Sequence, residues 1–164
     1  PNGDVYEGDF VLDARHGKGL YKWDNGDVYV GDFSQEERHG RGKFSFHNGN
    51  VYDGEFCDGM FDGYGKYIFT DGTYEGEWRE GRYDGEGKLT YSTGGMYTGD
   101  FKNSAAHGFG VEVTPDGRVF KGVWDNGEPV DLNAKNKNSL FQLRTVVCSP
   151  SSPLKFQCRR GSLQ

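Results

Sequence analysis

The chain repeats itself about every 23 residues, and a tandem period of this length limits the possible folds more than any other feature. Each unit begins with an aromatic marker, followed two residues later by glycine and four residues later by phenylalanine or tryptophan. The markers are almost evenly spaced, at Tyr6, Tyr29, Tyr52, Tyr74, Tyr97 and Phe120. Such tandem units are typical of architectures in which each repeat packs against its neighbours.

Each unit contains two stretches with the alternation of β-strands. In "VYVGDF" (28–33) and "GRGKFSF" (40–46), aromatic residues and glycines alternate with mostly polar residues, which predicts strands with one aromatic face. The dipeptides between units favour type I′ turns, and they are Asn25-Gly26, Asn48-Gly49, Asp71-Gly72 and Asp116-Gly117. The predicted fold is all-β: an elongated, single-layer antiparallel meander of tandem hairpins, solenoid-like, with about ten strands and a length of roughly 50 Å.

A Gly-x-Gly pair begins eleven residues after each of the first five markers. The pairs are Gly17/Gly19, Gly40/Gly42, Gly63/Gly65, Gly85/Gly87 and Gly108/Gly110. Glycine inside a strand usually weakens it and is tolerated where another group must come close. Because the pair shares the face of the aromatic residues, we expect a ring to lie flat over bare backbone there.

The combined pattern resembles a known repeat. Tyr-x-Gly-(Asp/Glu)-(Phe/Trp), then (His/Asp)-Gly-x-Gly and an Asn-Gly or Asp-Gly turn, resembles the MORN repeat (membrane occupation and recognition nexus) over about residues 1–128. The family's usual loop glycine is kept at Gly59, Gly81 and Gly127 and replaced by Asp13, Glu36 and Ser104. The resemblance implies an adaptor in cytoskeletal, ciliary or membrane-contact assemblies, or a lipid-binding module.

Composition sets the class of protein. The residues are 34% hydrophobic and 15% aromatic, which is too polar for a deep two-layer core and too aromatic for disorder. The sequence contains no apolar run of about 18 residues, so we expect no membrane-spanning helix. Cys57, Cys148 and Cys158 lack metal or disulfide spacing, so a reducing, cytoplasmic setting is the expectation. The chain begins inside a repeat without methionine, so we expect a piece of a longer array.

The histidines and glycines do not assemble into a reactive centre. His16, His39 and His107 precede Gly-x-Gly pairs, but equivalent atoms of adjacent units lie about 10 Å apart, too far to share one zinc ion. A loop hydrogen-bonding role is favoured for them, and a metal shared between two molecules stays open. The Gly-x-Gly pairs lack the helix start and lysine of a nucleotide site.

Recurring carboxylates on the non-aromatic face favour a solvated surface rather than acid–base pairs. They are Asp9, Asp32, Glu55, Glu77 and Asp100. We therefore predict that the chain is not an enzyme and that it has no catalytic, cofactor or metal site.

Charge divides the chain into two parts. Residues 1–130 contain 24 acidic and 13 basic residues, a net of −11, and residues 131–164 contain one acidic and six basic residues, a net of +5. We predict a repeat array over 1–130 and a basic, partly disordered C-terminal tail over 131–164. The acidic array is a poor match to nucleic acid and to anionic lipid, because both attract clustered positive charge.

Two functional classes fit these observations. A long sheet with one aromatic face favours a non-catalytic scaffold that binds a protein partner, as a peptide or helix, in a groove. The alternative is a phospholipid-binding or membrane-tethering module, which only the basic tail and scattered arginines such as Arg15, Arg38 and Arg41 would support. A regulatory part of a larger enzyme stays open, and exposed strands at the sheet ends would allow oligomerisation.

The candidate protein-binding residues share the aromatic face by alternation. They are Trp23, Tyr29, Phe33, Phe46, Tyr52, Phe56, Phe69 and Tyr91. Packing between repeats is the larger expected role of the marker tyrosines. The rings just before the turns, at Trp23, Phe46, Phe69 and Tyr91, should carry the weakest packing demands and be most available to a partner.

Overall fold

The computed structural model describes residues 3–130 of the chain. They form one twelve-stranded sheet in which each strand lies between the strands before and after it in sequence, and all pairs are antiparallel. This confirms the all-β meander. The strands are β1 (Val5–Val11), β2 (Ala14–Lys22), β3 (Val28–Ser34), β4 (Glu37–Ser45), β5 (Val51–Cys57), β6 (Met60–Phe69), β7 (Gly72–Arg79), β8 (Arg82–Tyr91), β9 (Met96–Lys102), β10 (Ala105–Val113), β11 (Val119–Asp125) and β12 (Glu128–Pro129).

The final half unit adds two strands to the ten that the sequence predicts. β11 pairs along β10 through contacts that include Gly110 with Gly122, and the short β12 pairs with the end of β11. Strand pairing depends on backbone N–H and C=O groups, so the sixth unit joins the sheet without a Gly-x-Gly pair of its own. The predicted tail, 131–164, lies outside the described residues.

Type I′ geometry occurs along one side of the sheet, where the odd-numbered strands end and the even-numbered strands begin. We call this row of strand ends the loop edge. There, every two-residue loop after an odd-numbered strand from β1 to β11 has two consecutive positive φ angles, as type I′ turns require. For example, φ is 49° at Gln35 and 73° at Glu36. The loops are Leu12-Asp13, Gln35-Glu36, Asp58-Gly59, Glu80-Gly81, Asn103-Ser104 and Asn126-Gly127. The loops in which another residue replaces glycine therefore adopt the same conformation as the others.

The opposite edge, the turn edge, differs from the prediction. At Asn25-Gly26 only the glycine has positive φ, at 92°. The Gly26 N–H donates to the Trp23 carbonyl over 3.0 Å, and the Trp23 N–H donates to the Asp27 carbonyl over 3.0 Å. This is a three-residue loop that ends in a left-handed glycine, and the Asn25 side chain contributes by accepting the Asp27 N–H.

The type I′ prediction is therefore wrong at all four dipeptides. At Asn48-Gly49 and Asp116-Gly117 only the glycine has positive φ, because a third loop residue moves the left-handed position onto the glycine alone. At Asp71-Gly72 neither residue has positive φ. There Phe69 pairs directly with Gly72, so the glycine belongs to the strand rather than to the loop. The antiparallel hairpins themselves are confirmed.

The two glycines of each Gly-x-Gly pair serve different purposes, as Gly40 and Gly42 illustrate. A Cβ on Gly42 would overlap the ring of Tyr29, which lies over the bare backbone as expected. Gly40 has φ of 63° beside the carboxylate of Asp32, and that carboxylate accepts the backbone N–H of Arg41 over 3.0 Å. The second glycine of the pair thus lets a tyrosine ring approach the backbone, and the first adopts a left-handed conformation.

The recurring carboxylates therefore do more than face solvent. Asp9, Asp32 and Asp100 each accept the backbone N–H of the middle residue of a Gly-x-Gly pair, over 3.0 Å in all three cases. A backbone donor freed by an irregular strand needs another acceptor, and the aspartate supplies it.

The core is a column of aromatic rings on one face of the sheet. Tyr29, Tyr52 and Tyr74 are fully buried, and each hydroxyl donates over 2.8 Å to the backbone carbonyl three residues later. The phenylalanine or tryptophan four residues after each marker is called the main aromatic residue of its repeat. Each marker tyrosine also packs edge-to-face on the main aromatic residue of the next repeat. The centroid distances are 5.2 Å for Tyr6–Phe33, 5.0 Å for Tyr29–Phe56, 5.1 Å for Tyr52–Trp78, 5.1 Å for Tyr74–Phe101 and 5.1 Å for Tyr97–Trp124.

The close ring contact predicts a sharp difference between two neighbouring positions. Gly42→Val should destabilise the fold by about 1–3 kcal/mol or more, because the new side chain collides with Tyr29. Arg41→Val should cost less than about 1 kcal/mol, since Arg41 is exposed and its ion pair with Glu55 spans 3.7 Å. Urea unfolding of both variants measures the difference, and equal losses would contradict the packing described.

The loops predict a second matched pair. Asp13→Gly should stabilise the protein by about 0.5–1 kcal/mol, because glycine adopts positive φ without steric cost. Glu36→Gly should not stabilise it, since the Glu36 carboxylate accepts a hydrogen bond from Arg15 Nε over 2.8 Å. The measurement is the urea midpoint, and a rise in both variants would show that this contact contributes nothing.

Candidate partner-binding surface

The aromatic face carries an inner set and an outer set of rings. The marker tyrosines and the aromatic residues four positions later make up most of the buried core. Nearer the turn edge, each of the first four even-numbered strands ends at or just before one further ring, and these outer rings are Trp23, Phe46, Phe69 and Tyr91. Trp23, Phe46 and Phe69 are half-buried, and Tyr91 is exposed, at 40%. They offer apolar surface that the sheet itself does not cover.

The outer rings form a continuous ribbon with the rings beneath them. Phe44 contacts Trp23 at a centroid distance of 5.2 Å and Phe46 at 4.4 Å. Tyr67 contacts Phe46 at 6.1 Å and stacks against Phe69 at 5.4 Å. Because each of these outer rings rests on Phe44 or Tyr67, which lie in or against the core, its orientation is constrained before any partner arrives.

The other four candidate residues lie in the core. Tyr29 and Tyr52 are 0% exposed, Phe56 is 2% exposed and Phe33 is 4% exposed. A partner cannot reach these rings while the sheet is intact, so packing between repeats is their direct contribution. Their role in binding stays a prediction, and the accessible candidates are the outer rings.

The buried hydroxyls are held in their neutral form. Burial raises the pKa of Tyr97 to about 12, and the nearby Asp100 carboxylate adds to the effect. Burial likewise raises the pKa of Tyr83 to about 12. Both phenols therefore stay protonated at neutral pH, and the Tyr97 hydroxyl donates to the Asp100 carbonyl over 3.1 Å.

Sequence analysis missed a third row of side chains, which we call the covering row. Its members follow each loop by two residues and lie opposite a main aromatic residue of the same hairpin. The members are Arg15, Arg38, Phe61, Tyr83 and Ala106. Phe61 stacks on Tyr52 with centroids 3.8 Å apart, and Tyr83 stacks on Tyr74 at 3.7 Å.

Arginine takes the place of the stacked ring in the first two repeats. The Arg38 guanidinium carbon lies 5.1 Å from the Phe44 centroid and 5.8 Å from that of Phe56. Aligning the repeats in columns would have exposed this substitution of cation for ring. The third arginine, Arg41, is on the opposite face, so the scattered arginines do not form one basic patch.

The opposite face is mixed in charge. A shallow depression of about 580 Å³ lies there, lined by residues that include Lys18, Arg41 and Lys43 but also Glu7 and Asp53. Lys18 pairs with Asp32 over 2.5 Å. Because its cations alternate with acids, this face has little excess positive charge for an anionic surface.

One cluster has the composition of a metal site. Ligand atoms of His39, Cys57 and Asp58 lie within 4.8 Å of one another. Cys57 is disulfide-bonded, however, so its sulfur is not a thiolate ligand. The cysteine spacing did not predict this bond, and the cytoplasmic setting stays a prediction. His39 instead lies 3.8 Å from the Asp58 carboxylate, in keeping with a loop role.

Comparison with known families agrees with the repeat geometry. The family model of the MORN repeat matches residues 6–28, 29–51, 52–73, 74–96 and 97–117. A comparison with curated proteins finds no match. In the described part of the chain, no helix is long and apolar enough to cross a membrane. MORN repeats are non-enzymatic units known in protein-binding and membrane-binding scaffolds. On the matched segments and the twelve-stranded meander they form, the chain belongs to the MORN repeat family.

Proposed function

We propose that the chain is a non-catalytic adaptor that binds an α-helix of a protein partner along its outer rings. The observation that carries the proposal is the ribbon of outer rings, repeated along one face of an acidic array. Trp23 and Phe46 pack against the buried core, and Phe69 stacks on Tyr67. All three are half-buried and present apolar surface at one position per repeat. Rigid aromatic anchors are where the binding energy of protein interfaces concentrates.

The spacing of the outer rings favours a helix over an extended peptide. Equivalent residues in adjacent repeats are two strands apart, which is about 10 Å. Seven residues of an α-helix rise about 10.5 Å, so apolar side chains at i, i+7 and i+14 would meet successive rings. An extended peptide presents side chains on one side about every 7 Å, so it misses the ring of the adjacent repeat by about 3 Å.

Charge supports a protein partner over a phospholipid surface. Residues 1–130 have a net charge of −11, which repels a membrane of anionic lipids. The setting of such an adaptor, in the cytoplasm at a cytoskeletal, ciliary or membrane-contact assembly, is part of the proposal. Oligomerisation through the sheet ends, and a place within a larger protein, are compatible with it.

The proposal predicts separate effects on binding and folding. A displayed library of helical peptides with varied apolar positions would be selected on the full chain. Phe46→Ala and Phe69→Ala should each weaken the selected peptides by about tenfold or more, with little change in melting temperature. Phe56→Ala should lower the melting temperature instead, since Phe56 belongs to the core.

Three results would contradict the proposal. The first is a library that yields no peptide, and the second is binding that persists in both outer-ring variants. The third is binding that fails only when acids of the opposite face are changed, as in Glu75→Gln. Tight binding to phosphoinositide vesicles at physiological salt, without peptide binding, would favour the lipid module.

A further inference from the structure

Two arginines of the covering row occupy the same place in successive repeats but have different surroundings. Arg15 and Arg38 are one repeat apart, and each guanidinium lies against aromatic rings. The Arg15 guanidinium carbon is 4.8 Å from the Tyr21 centroid. The two sites therefore allow a direct comparison of the hydrogen-bond and charge partners that the sheet provides for a cation placed over rings.

The charge of Arg15 is paired with the carboxylate of Glu36 in the next loop. Arg15 Nε donates to the Glu36 carboxylate over 2.8 Å, and Arg15 Nη2 donates to the Glu36 carbonyl over 3.0 Å. The Glu36 carboxylate also accepts the backbone N–H of Arg15. Both the positive charge and the donors of this arginine are thus engaged within the array.

Arg38 lacks the equivalent carboxylate because Gly59 stands where Glu36 stands for Arg15. Arg38 Nη2 donates to the Gly59 carbonyl over 2.6 Å, which matches the second contact of Arg15. Within residues 3–130, no carboxylate forms an ion pair with Arg38, although the field of nearby Glu37 favours its charge. The carbonyl contact is kept and the charge contact is missing.

The Arg38 guanidinium is confined but still has donors to offer. Burial lowers its pKa from the ordinary value, and rings of Trp23, Tyr29, Phe44 and Phe56 lie within 6.0 Å of its central carbon. A guanidinium has five N–H donors. None of its nitrogens is among the buried, unpaired polar atoms of the described residues, and the Gly59 carbonyl takes one of its donors.

A cation in this position favours an incoming carboxylate. Ring contacts compensate a half-buried cation only in part, and a guanidinium matches a carboxylate in a paired, planar geometry. The Phe44 ring touches both Arg38 and the outer rings Trp23 and Phe46. The outer ring of Trp23 itself lies 5.8 Å from the Arg38 guanidinium carbon. A helix seated on the ribbon would therefore pass directly beside the guanidinium.

We propose that Arg38 determines the specificity of the aromatic face by pairing with a glutamate or aspartate side chain of the bound helix. The partner's carboxylate would take the place that Glu36 takes beside Arg15. This inference rests on the proposed function. A single carboxylate fits better than a phosphate group, because phosphate recognition uses clusters of arginines. Arg38 is instead surrounded by rings, in an array that is strongly acidic.

The array itself supplies the sharpest test, through Gly59→Glu. Glu36 has φ of 73° and Gly59 has φ of 79°, so the loop already accepts glutamate in this conformation. The Glu37 carboxylate, 2.8 Å from the new Cβ position, is exposed and free to turn aside. The new carboxylate should pair with Arg38 and so compete with the carboxylate of the partner.

The experiment uses peptides selected from the helical library on the full chain. The selected peptides should contain an acidic residue at a fixed distance from their apolar positions. Changing that residue to Gln or Asn, or changing the protein by Arg38→Gln or Gly59→Glu, should each weaken binding on the order of tenfold or more. Arg41→Gln, which removes the same charge from the opposite face, should leave the affinity unchanged.

The outcomes separate this inference from the proposed function. Peptides that lose affinity in Phe46→Ala but not in Arg38→Gln would overturn the role of Arg38 and leave the adaptor intact. Equal loss in Arg38→Gln and Arg41→Gln would also overturn it, since that is the result of general charge. In Gly59→Glu the new ion pair with Arg38 should offset the cost of a glutamate at positive φ, so the melting temperature should change little. Weakened binding in that folded variant marks competition for Arg38, and unchanged binding overturns the pairing. Peptides that bind only when phosphorylated would replace the carboxylate with phosphate and contradict the proposal.

Discussion

The whole sheet depends on the contact between a tyrosine ring and a glycine on the neighbouring strand. In the pair Tyr29–Gly42, the ring lies where a Cβ would be, and the tyrosine hydroxyl reaches the Asp32 carbonyl over 2.8 Å. The contact gives a single-layer sheet a buried core, because the ring of one strand packs directly on the bare backbone of the neighbouring strand. Without it, a sheet of this composition would expose both faces to water.

The same ring transmits order from one repeat to the next. Tyr29 packs edge-to-face on Phe33 of its own strand at 5.1 Å and on Phe56 of the following repeat at 5.0 Å. Edge-to-face pairs contribute about 0.5–1.5 kcal/mol beyond the area they bury. Backbone bonds from a loop to a strand of the preceding repeat, such as that from the Gly59 N–H to the Arg38 carbonyl over 3.0 Å, add a second link. Stability is therefore distributed along the array in similar steps.

The sequence predicts the architecture well because its signals are local and repeated. Alternation around Tyr29 and Gly31 determines the strands, and the Gly-x-Gly pairs indicate where rings approach the backbone. The turn at Asn25-Gly26 was missed because a dipeptide does not reveal that the loop has three residues. The environment of Arg38 was missed for another reason, since it depends on Gly59 in the following loop, where the preceding repeat has glutamate.

Burial also divided the candidate binding residues in a way that alternation does not show. Tyr52 and Phe46 share a face, yet Tyr52 is fully buried and Phe46 is not. The difference arises from position along the strand, because Phe61 stacks flat on Tyr52 at 3.8 Å but meets Phe46 only edge-to-face at 6.4 Å. Alternation in the sequence tells on which face a side chain lies, but not whether a neighbouring side chain covers it.

The consecutive order of the strands affects how the protein can be made. Within the described part of the chain, even the most widely separated strand partners, Gly72 and Tyr91, are less than one repeat apart. Sheets whose partners are close in sequence avoid the slow search for distant pairing, and chains emerge from the ribosome at about 5–20 residues per second. Each new strand therefore finds its neighbour already in place, so the array can assemble from its N-terminal end during translation, one hairpin after another.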